Sequence, residues 1–257
     1  SHNANILTPS TMMTGKQFKW TRLGRVMNHV VCVKWGNKYG PIYANVLKNM
    51  VRRHTTLPFE FHCLTDDPTG LDPDINVVKL PKDPWIKTWW SKLYMFAPQM
   101  PVKGNILFFD LDVVIFDNID ALFSHTGKFN IIHDFNRCRI RDWKMSNSSC
   151  MRWESGSMDY LWKDFVKDHN QIMRQNHGDQ DYITKRAKND ITWFPDEWIR
   201  SYKWELIGFK DTKLLTKDGK QYFREPVKIQ PGNKVAVFHG KPNPMECGDQ
   251  WVIDNWK

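Results

Sequence analysis

The stretch Asn105–Phe123 reads NILFFDLDVVIFDNIDALF, and its first eight residues set the fold class. Ile106 to Phe109 is an unbroken apolar run, the pattern of a strand buried on both faces, and such strands belong to parallel sheets with helices on either side. The run ends in Asp110 and Asp112. Residues two apart in extended chain share a face, so the two carboxylates can converge on one ion while Leu111 turns into the core. In open α/β sheets ligands bind beyond the carboxyl ends of the strands, where this pair falls. Two unpaired carboxylates beside a buried strand would cost several kcal/mol, so something cationic should meet them. A neighbouring arginine, or the turn that opens NIDALF, would meet that need without any ligand.

Upstream, His29–Trp35 (HVVCVKW) reads as a buried strand. A helix follows from Tyr39 (YGPIYANVLKNMVRRH), with Pro41 in its first turn and Ile42, Val46, Leu47, Met50 and Val51 on one face. Phe59–Leu64 and Ile75–Leu80 are further strands around the polar loop TDDPTG, and Trp89–Ala97 (WWSKLYMFA) has helical character up to Pro98. Strand and helix alternate, which predicts a mostly parallel sheet covered on both faces. Beyond Asp112 the segments VVIF, NIDALF and FNIIHDF lead to a polar stretch, RDWKMSNSS, and then CMRW. Met158, Leu161, Trp162, Phe165 and Val166 recur at helical spacing and predict a core stripe over 157–170. A helix over 179–187, short strands at TWF, VKI and VAVF, and a hairpin turn at the DG of LLTKDGKQYF complete the reading. No repeat or linker divides the chain, which predicts one domain, read in the stretches 1–27, 28–125 and 126–257.

Composition bounds the function. The chain has 257 residues, 41% of them hydrophobic and 25% charged, which suits a soluble globular protein. No apolar run approaches the roughly 18 residues of a membrane span, and the first residues lack the pattern of a signal peptide, so a cytoplasmic location is expected. The five cysteines are widely spaced with no CxxC pair, which predicts buried thiols rather than a disulfide framework or zinc knuckle. A net charge of +9 suits an anionic partner: nucleic acid, a membrane surface or a phosphorylated small molecule.

The chain holds three D-x-D tripeptides, Asp72-Pro-Asp74, Asp110-Leu-Asp112 and Asp179-Gln-Asp181. The first lies in a proline-rich loop and reads as a turn; only the second follows a buried strand. Near the C-terminus, VAVFHGKPNP sets His239 at the end of another apolar run. Two carboxylates and an imidazole make a donor set for Mn²⁺, with Mg²⁺ the less nitrogen-tolerant alternative. Asp117 and Asp120 read as turn and helix-start residues.

The order of KWGNKYGPIYANVL, WWSKLYMF, FFDLDVVIFDNIDALF, NSSCMRW, HGDQDYI and VFHGKP resembles the glycosyltransferases of the GT-A fold, and among them the family-8-like group of glycogenin and the bacterial lipopolysaccharide galactosyltransferases. The resemblance runs from Val30 to Pro242. It implies an α/β, GT-A-like (Rossmann-like) fold with a mostly parallel central sheet and an elaborated C-terminal half, in which an N-terminal extension (1–27) precedes a nucleotide-binding half (28–125) and an acceptor- and sugar-binding half (126–257). It further implies that Asp110, Asp112 and His239 hold a divalent metal bridging the diphosphate of a nucleotide-sugar, with Lys92 and Lys241 as diphosphate partners. Tyr39 matches a position that stacks on the nucleotide base. Asn147 and Ser148 match a donor-side motif, with Ser149 where glycine is usual. Asp179, Gln180 and Asp181 match polar residues beside the donor sugar, although D-Q-D at a helix start would also serve as a cap. His239, Gly240, Lys241 and Pro242 are contiguous here, whereas the family pattern spaces the histidine from the lysine.

The expected activity is therefore metal-dependent, retaining transfer of a sugar from a nucleotide-sugar, such as a UDP-sugar, to a carbohydrate or other hydroxyl acceptor. The acceptor loops would lie near 135–148 and 198–222. No nucleic-acid partner is expected, yet the competing reading is a nucleic-acid binder, resting on the charge and on 13 tryptophans interleaved with basic residues, as in KDPWIKTWWSK. A nucleotidyltransferase or nucleotide-sugar hydrolase on the same sheet is a nearer rival.

Overall fold

The computed structural model of the protein describes residues 27–83, 86–206 and 228–257. A seven-stranded sheet forms its centre, in the order β3-β2-β1-β4-β7-β6-β8. Strands β1 (Asn28–Lys34), β2 (Glu60–Thr65), β3 (Asn76–Lys79) and β4 (Asn105–Phe109) are parallel, and β7 (Ser146–Glu154) runs antiparallel between β4 and β6 (Phe129–His133). Strand β8 (Ile191–Trp193) pairs in parallel with β6. A smaller sheet joins β5 (Val113–Ile115), β10 (Val235–Val237) and β9 (Ile199–Ser201).

Alternation along the strands builds two cores. Val30 and Cys32 of β1 share one face with Leu107 and Phe109 of β4, against α1 (Pro41–His54), α2 (Asp120–Ser124), α5 (Gln250–Asn255) and the small sheet. Val31, Ile106 and Phe108 face the other way, against α3 (Tyr160–Gln175), α4 (Asp179–Arg186) and the segment Thr88–Phe96. Helices thus cover both faces of a mostly parallel sheet, as the apolar run of β4 predicts.

Several details depart from expectation. Thr88–Phe96 is a 3₁₀ segment rather than an α-helix. A period of three superposes residues i and i+3, which brings Trp89 and Lys92 to one edge and leaves Trp90, Leu93 and Phe96 for the core. In RDWKMSNSSCMRW, Arg141 to Met145 are irregular, but Ser146–Ser149 belong to the central strand β7. In α1 the buried stripe starts from Tyr43, and Ile42 is out of phase and exposed. In α3 Val166 follows the last stripe residue, Phe165, and is exposed, two residues before a break in helical geometry at Asp168. Lys228 and Ile229 of VKI are irregular, and the DG turn lies outside the described residues. No helix among the described residues is long and apolar enough to cross a membrane.

Other sequence features find structural partners. Asp72 and Asp74 grip Lys48 of α1 at 2.5 and 2.7 Å, and Asp74 also pairs with Arg52, so that D-x-D is an ion-pair clip under the loop. Asp120 opens α2 and accepts bonds from Thr55 and Thr56. All five cysteines are free thiols, with only Cys138 exposed.

Candidate active site

The carboxyl ends of β1 and β4 open into a cleft of about 330 Å³ whose lining includes Tyr39, Trp89, Lys92, Asp110 and Asp112. The backbone beyond β4 stays in register with β7, since the Asp110 N–H donates to the Ser149 carbonyl at 2.8 Å. There β7 carries an irregularity: its pairing with β6 jumps from Ile131↔Met151 to Ile132↔Asn147. A bulge of this kind re-aims side chains, and here it brings the Asn147–Ser149 segment beside Asp110.

One buried lysine joins the predicted donor-side residues. The ammonium of Lys92 lies 2.8 Å from Asp110 Oδ1 and 3.9 Å from Asp179 Oδ2, and it donates to Ser148 Oγ at 3.3 Å. Ser148 in turn donates its hydroxyl to Asp179 Oδ2 at 2.9 Å and its backbone N–H to Gln180 Oε1 at 3.0 Å. Asp179 is therefore no helix cap. Gly178 occupies that position with no side-chain cap bond, and the Asp179 carboxylate points into the network. Burial by itself would lower the Lys92 pKa, but Asp110 and then Asp179 outweigh it and hold the ammonium well above the ordinary lysine value. Burial pushes the Asp179 carboxyl up, against the pull of Lys92 and Ser148. Asn147 Oδ1 accepts from the Ser149 N–H, and Asp181 is half-buried in the first turn of α4.

Asp112 is set apart from this lysine network. Burial first, then repulsion from Asp110, pushes its carboxyl from 3.8 up to about 7. Burial together with Asp112 raises the hydroxyl of Tyr39, which lines the cleft against Tyr43 at a ring separation of 4.9 Å. A raised carboxyl pKa means that the folded state binds more protons than the unfolded chain between about pH 4 and 7, so metal-free protein loses stability as pH rises through that window. Bound Mn²⁺ should cancel the trend, because the carboxyl is then unprotonated in both states over that window. Its affinity should rise about tenfold per pH unit below 7, because the proton on Asp112 must leave first. Thermal melts from pH 5 to 8, with Mn²⁺ or with chelator, measure both slopes.

The backbone carries His239 to the D-x-D turn: Val237 pairs with Val113, and the Phe238 N–H donates to the Asp112 carbonyl at 2.8 Å. Its imidazole stacks on Phe135 at 5.3 Å, meets Trp204 edge-on and bonds through Nε2 to Ser201 Oγ at 2.6 Å. Burial and the charge of Lys203 lower its pKa to about 4, so the ring is neutral at physiological pH. Among the described residues, the trio of metal-ligating side chains whose donor atoms lie within 4.8 Å of one another is His29, Glu60 and His62, so Asp110, Asp112 and His239 are more widely spread. Their chemistry still fits a divalent cation. Two mutually repelling carboxylates and a neutral imidazole border one turn, and the oxygen-plus-nitrogen set is one that Mn²⁺ accepts.

Lys241, by contrast, is turned away. Its side chain is 79% exposed and pairs with Glu246 at 3.4 Å. A different lysine stands at the turn: Lys203 Nζ lies so close to Gly240 that a methyl group there would come within 2.7 Å of it. Burial lowers the Lys203 pKa, and the charge of Asp112 opposes that shift. Gly240 also has φ +79°, and it is this turn conformation that calls for glycine, since the lysine tip can move aside. Lys203 escapes sequence reading because it lies in a π-helical turn over Tyr202–Leu206, more than 30 residues before the His-Gly-Lys-Pro segment.

Comparison with solved structures finds the same fold in glycosyltransferases. The galactosyltransferase LgtC, solved with donor and acceptor sugar analogs, matches with a TM-score of 0.59 at 14% identity, over 88% of this chain and 93% of its own. The glycosyltransferase GlyE of Streptococcus pneumoniae TIGR4 matches at 0.60 and 10% identity, over 89% of this chain and 62% of its own. The bifunctional glycosyltransferase WbbM matches at 0.57 and 12%, over 89% of this chain and 51% of its own. No protein-family model matches the sequence, and no curated protein matches it in a sequence comparison. At these identities the likeness establishes the fold, which is that of the GT-A glycosyltransferases.

Proposed function

We propose that this GT-A-fold chain is a glycosyltransferase that moves a sugar from a nucleotide-sugar, such as a UDP-sugar, to an acceptor hydroxyl with retention of configuration. The supporting observation is the buried chain of contacts from Asp110 through Lys92 to Asp179, Ser148 and Gln180, which joins the wall of the cleft to the start of α4. Tyr39 would stack on the base at the mouth of the cleft. Asp110, Asp112 and His239 would hold the divalent ion, which supplies charge neutralisation to the leaving diphosphate. His239 would exchange its bond to Ser201 for that role.

The protein's own groups do the remainder. Lys203, beside Gly240 and Asp112, would meet the diphosphate in place of the exposed Lys241. Lys92 fixes Asp110 and Asp179 rather than reaching for phosphate, because both carboxylates already claim its ammonium. With its carbonyl oxygen held by the Ser148 N–H, Gln180 would set the face of the donor sugar exposed to attack, and Asp181 would help orient it. Positive charge building at the anomeric carbon would meet the polar end of this network.

The test is a thermal-shift screen of nucleotide-sugars with Mn²⁺, followed by product analysis of the strongest hit with simple sugar acceptors. Transfer of the sugar, with release of the nucleoside diphosphate, is expected. A nucleotidyl-linked product would point to a nucleotidyltransferase, and free sugar as sole product to a hydrolase.

A further inference from the structure

The amino ends of the parallel strands, about 17 Å from the cleft along β1 at 3.3 Å per residue, carry a buried cluster that the proposed reaction does not use. His29 of β1 is the cross-strand partner of Glu60 in β2, and Val31 is that of His62, so the three polar side chains share one sheet face. His29 Nδ1 lies 2.8 Å from His62 Nε2, and Glu60 Oε2 lies 3.5 Å from the first and 3.7 Å from the second. The side chains are 7%, 12% and 8% exposed for His29, Glu60 and His62.

The tautomer of His29 follows from its other nitrogen. Nε2 stands 2.8 Å from the backbone carbonyl of Lys103, which can only accept, so Nε2 carries the proton and Nδ1 presents a lone pair to the cluster. A metal-bound histidine is oriented in this way, its second N–H held by a carbonyl. Burial lowers the pKa of His29 and takes that of His62 to about 3, so both rings are neutral and able to ligate. A plain hydrogen bond from His62 to His29 would account for the 2.8 Å contact alone. Beside that contact, Glu60 Oε2 stands almost equally far from both nitrogens, at the long limit of hydrogen bonding. A circle through three atoms so spaced has a radius of about 2.0 Å, the length of a zinc–imidazole or zinc–carboxylate bond. Asn76 of β3, the cross-strand neighbour of His62, has a buried Nδ2 with no hydrogen-bond partner among the described residues, and a metal-bound water would supply its acceptor.

We infer that His29, Glu60 and His62 form a His₂Glu site for a divalent transition ion, zinc by its donor set, that ties β1 to β2 at the edge opposite the cleft. The site is independent of the proposed transfer reaction. Metal-free wild-type protein, and a variant with Asp110→Asn and Asp112→Asn to disable the cleft, are titrated with Zn²⁺ alone, and the zinc retained after gel filtration is counted. One equivalent is expected in the variant, and at least one in the wild type, whose cleft offers a second set of donors, with X-ray absorption of the variant showing two imidazole nitrogens at about 2.0–2.1 Å. Adding His62→Gln should cut zinc affinity at least tenfold. Because the absorption measurement keeps both histidines, it decides the matter even if His62→Gln fails to fold. Zinc without imidazole ligands, no stoichiometric zinc in the wild type, or zinc binding unchanged by His62→Gln in folded protein would each overturn the site.

Discussion

Replacing Lys92 with methionine is expected to cost the fold about 3–5 kcal/mol at pH 8, as removal of one partner from a buried ion pair does. The substitution keeps a long unbranched apolar side chain but strips the only ammonium within 4 Å of Asp110 and Asp179 among the described residues, one that also stands 5.4 Å from the centre of the Phe108 ring. Asp179 is 4% exposed and Asp112 is already pushed up to about 7, so the variant gathers buried carboxylates with no compensating charge. The sign of the pH dependence follows. Carboxyls whose folded pKa lies above the unfolded value make stability fall as pH rises, so the deficit should shrink from pH 8 to pH 5, which lies below the value of about 7 for Asp112. Denaturant melts of both proteins at pH 5 and 8 measure this. An unchanged midpoint at pH 8 would mean that Lys92 is a dispensable surface cation.

Lys203→Ala should lower kcat/KM for the nucleotide-sugar about 10–100-fold, while Lys241→Ala should stay within about twofold of wild type. The contrast rests on position: Lys203 Nζ crowds Gly240 beside the D-x-D turn, and Lys241 points to solvent against Glu246. Lys203 is partly buried and carries no strong ion pair among the described residues, so its removal should leave the fold close to wild type in stability. Steady-state kinetics on the two variants separate the outcomes. A large loss in Lys241→Ala with none in Lys203→Ala would return the diphosphate role to the residue favoured by motif order.

The parts legible in the sequence are those where one local signal suffices. Ile106–Phe109 is apolar because both faces of β4 are covered, and the two aspartates follow because the strand ends at the cleft. α1 is legible from its spacing, and only the edge residue Ile42 is misplaced. Where side chains make polar contacts instead of apolar ones, hydropathy fails. Ser146–Ser149 look like loop, yet they sit in a central strand because their hydrogen bonds go to Gln180, Asp179, Thr184 and Asn147. Lys92 lines the cleft, but its pairing with Asp110 and Asp179 depends on three distant segments that no spacing connects. His29 and His62 are 33 residues apart, each in an otherwise apolar strand, and only the parallel register of β1 and β2 joins them. The 13 tryptophans likewise look like stacking platforms in the sequence, whereas Trp90, Trp153 and Trp162 are buried in the second core.

A metal-bridged donor site at Asp110 and Asp112 is put to trial by one calorimetric experiment, the titration of UDP into wild type and Asp112→Asn with saturating Mn²⁺ or with chelator. Binding to the wild type only with Mn²⁺, and weaker by about 100-fold or 2.7 kcal/mol in Asp112→Asn, is the expected result. UDP binding of equal strength in both proteins, indifferent to the chelator, would contradict it.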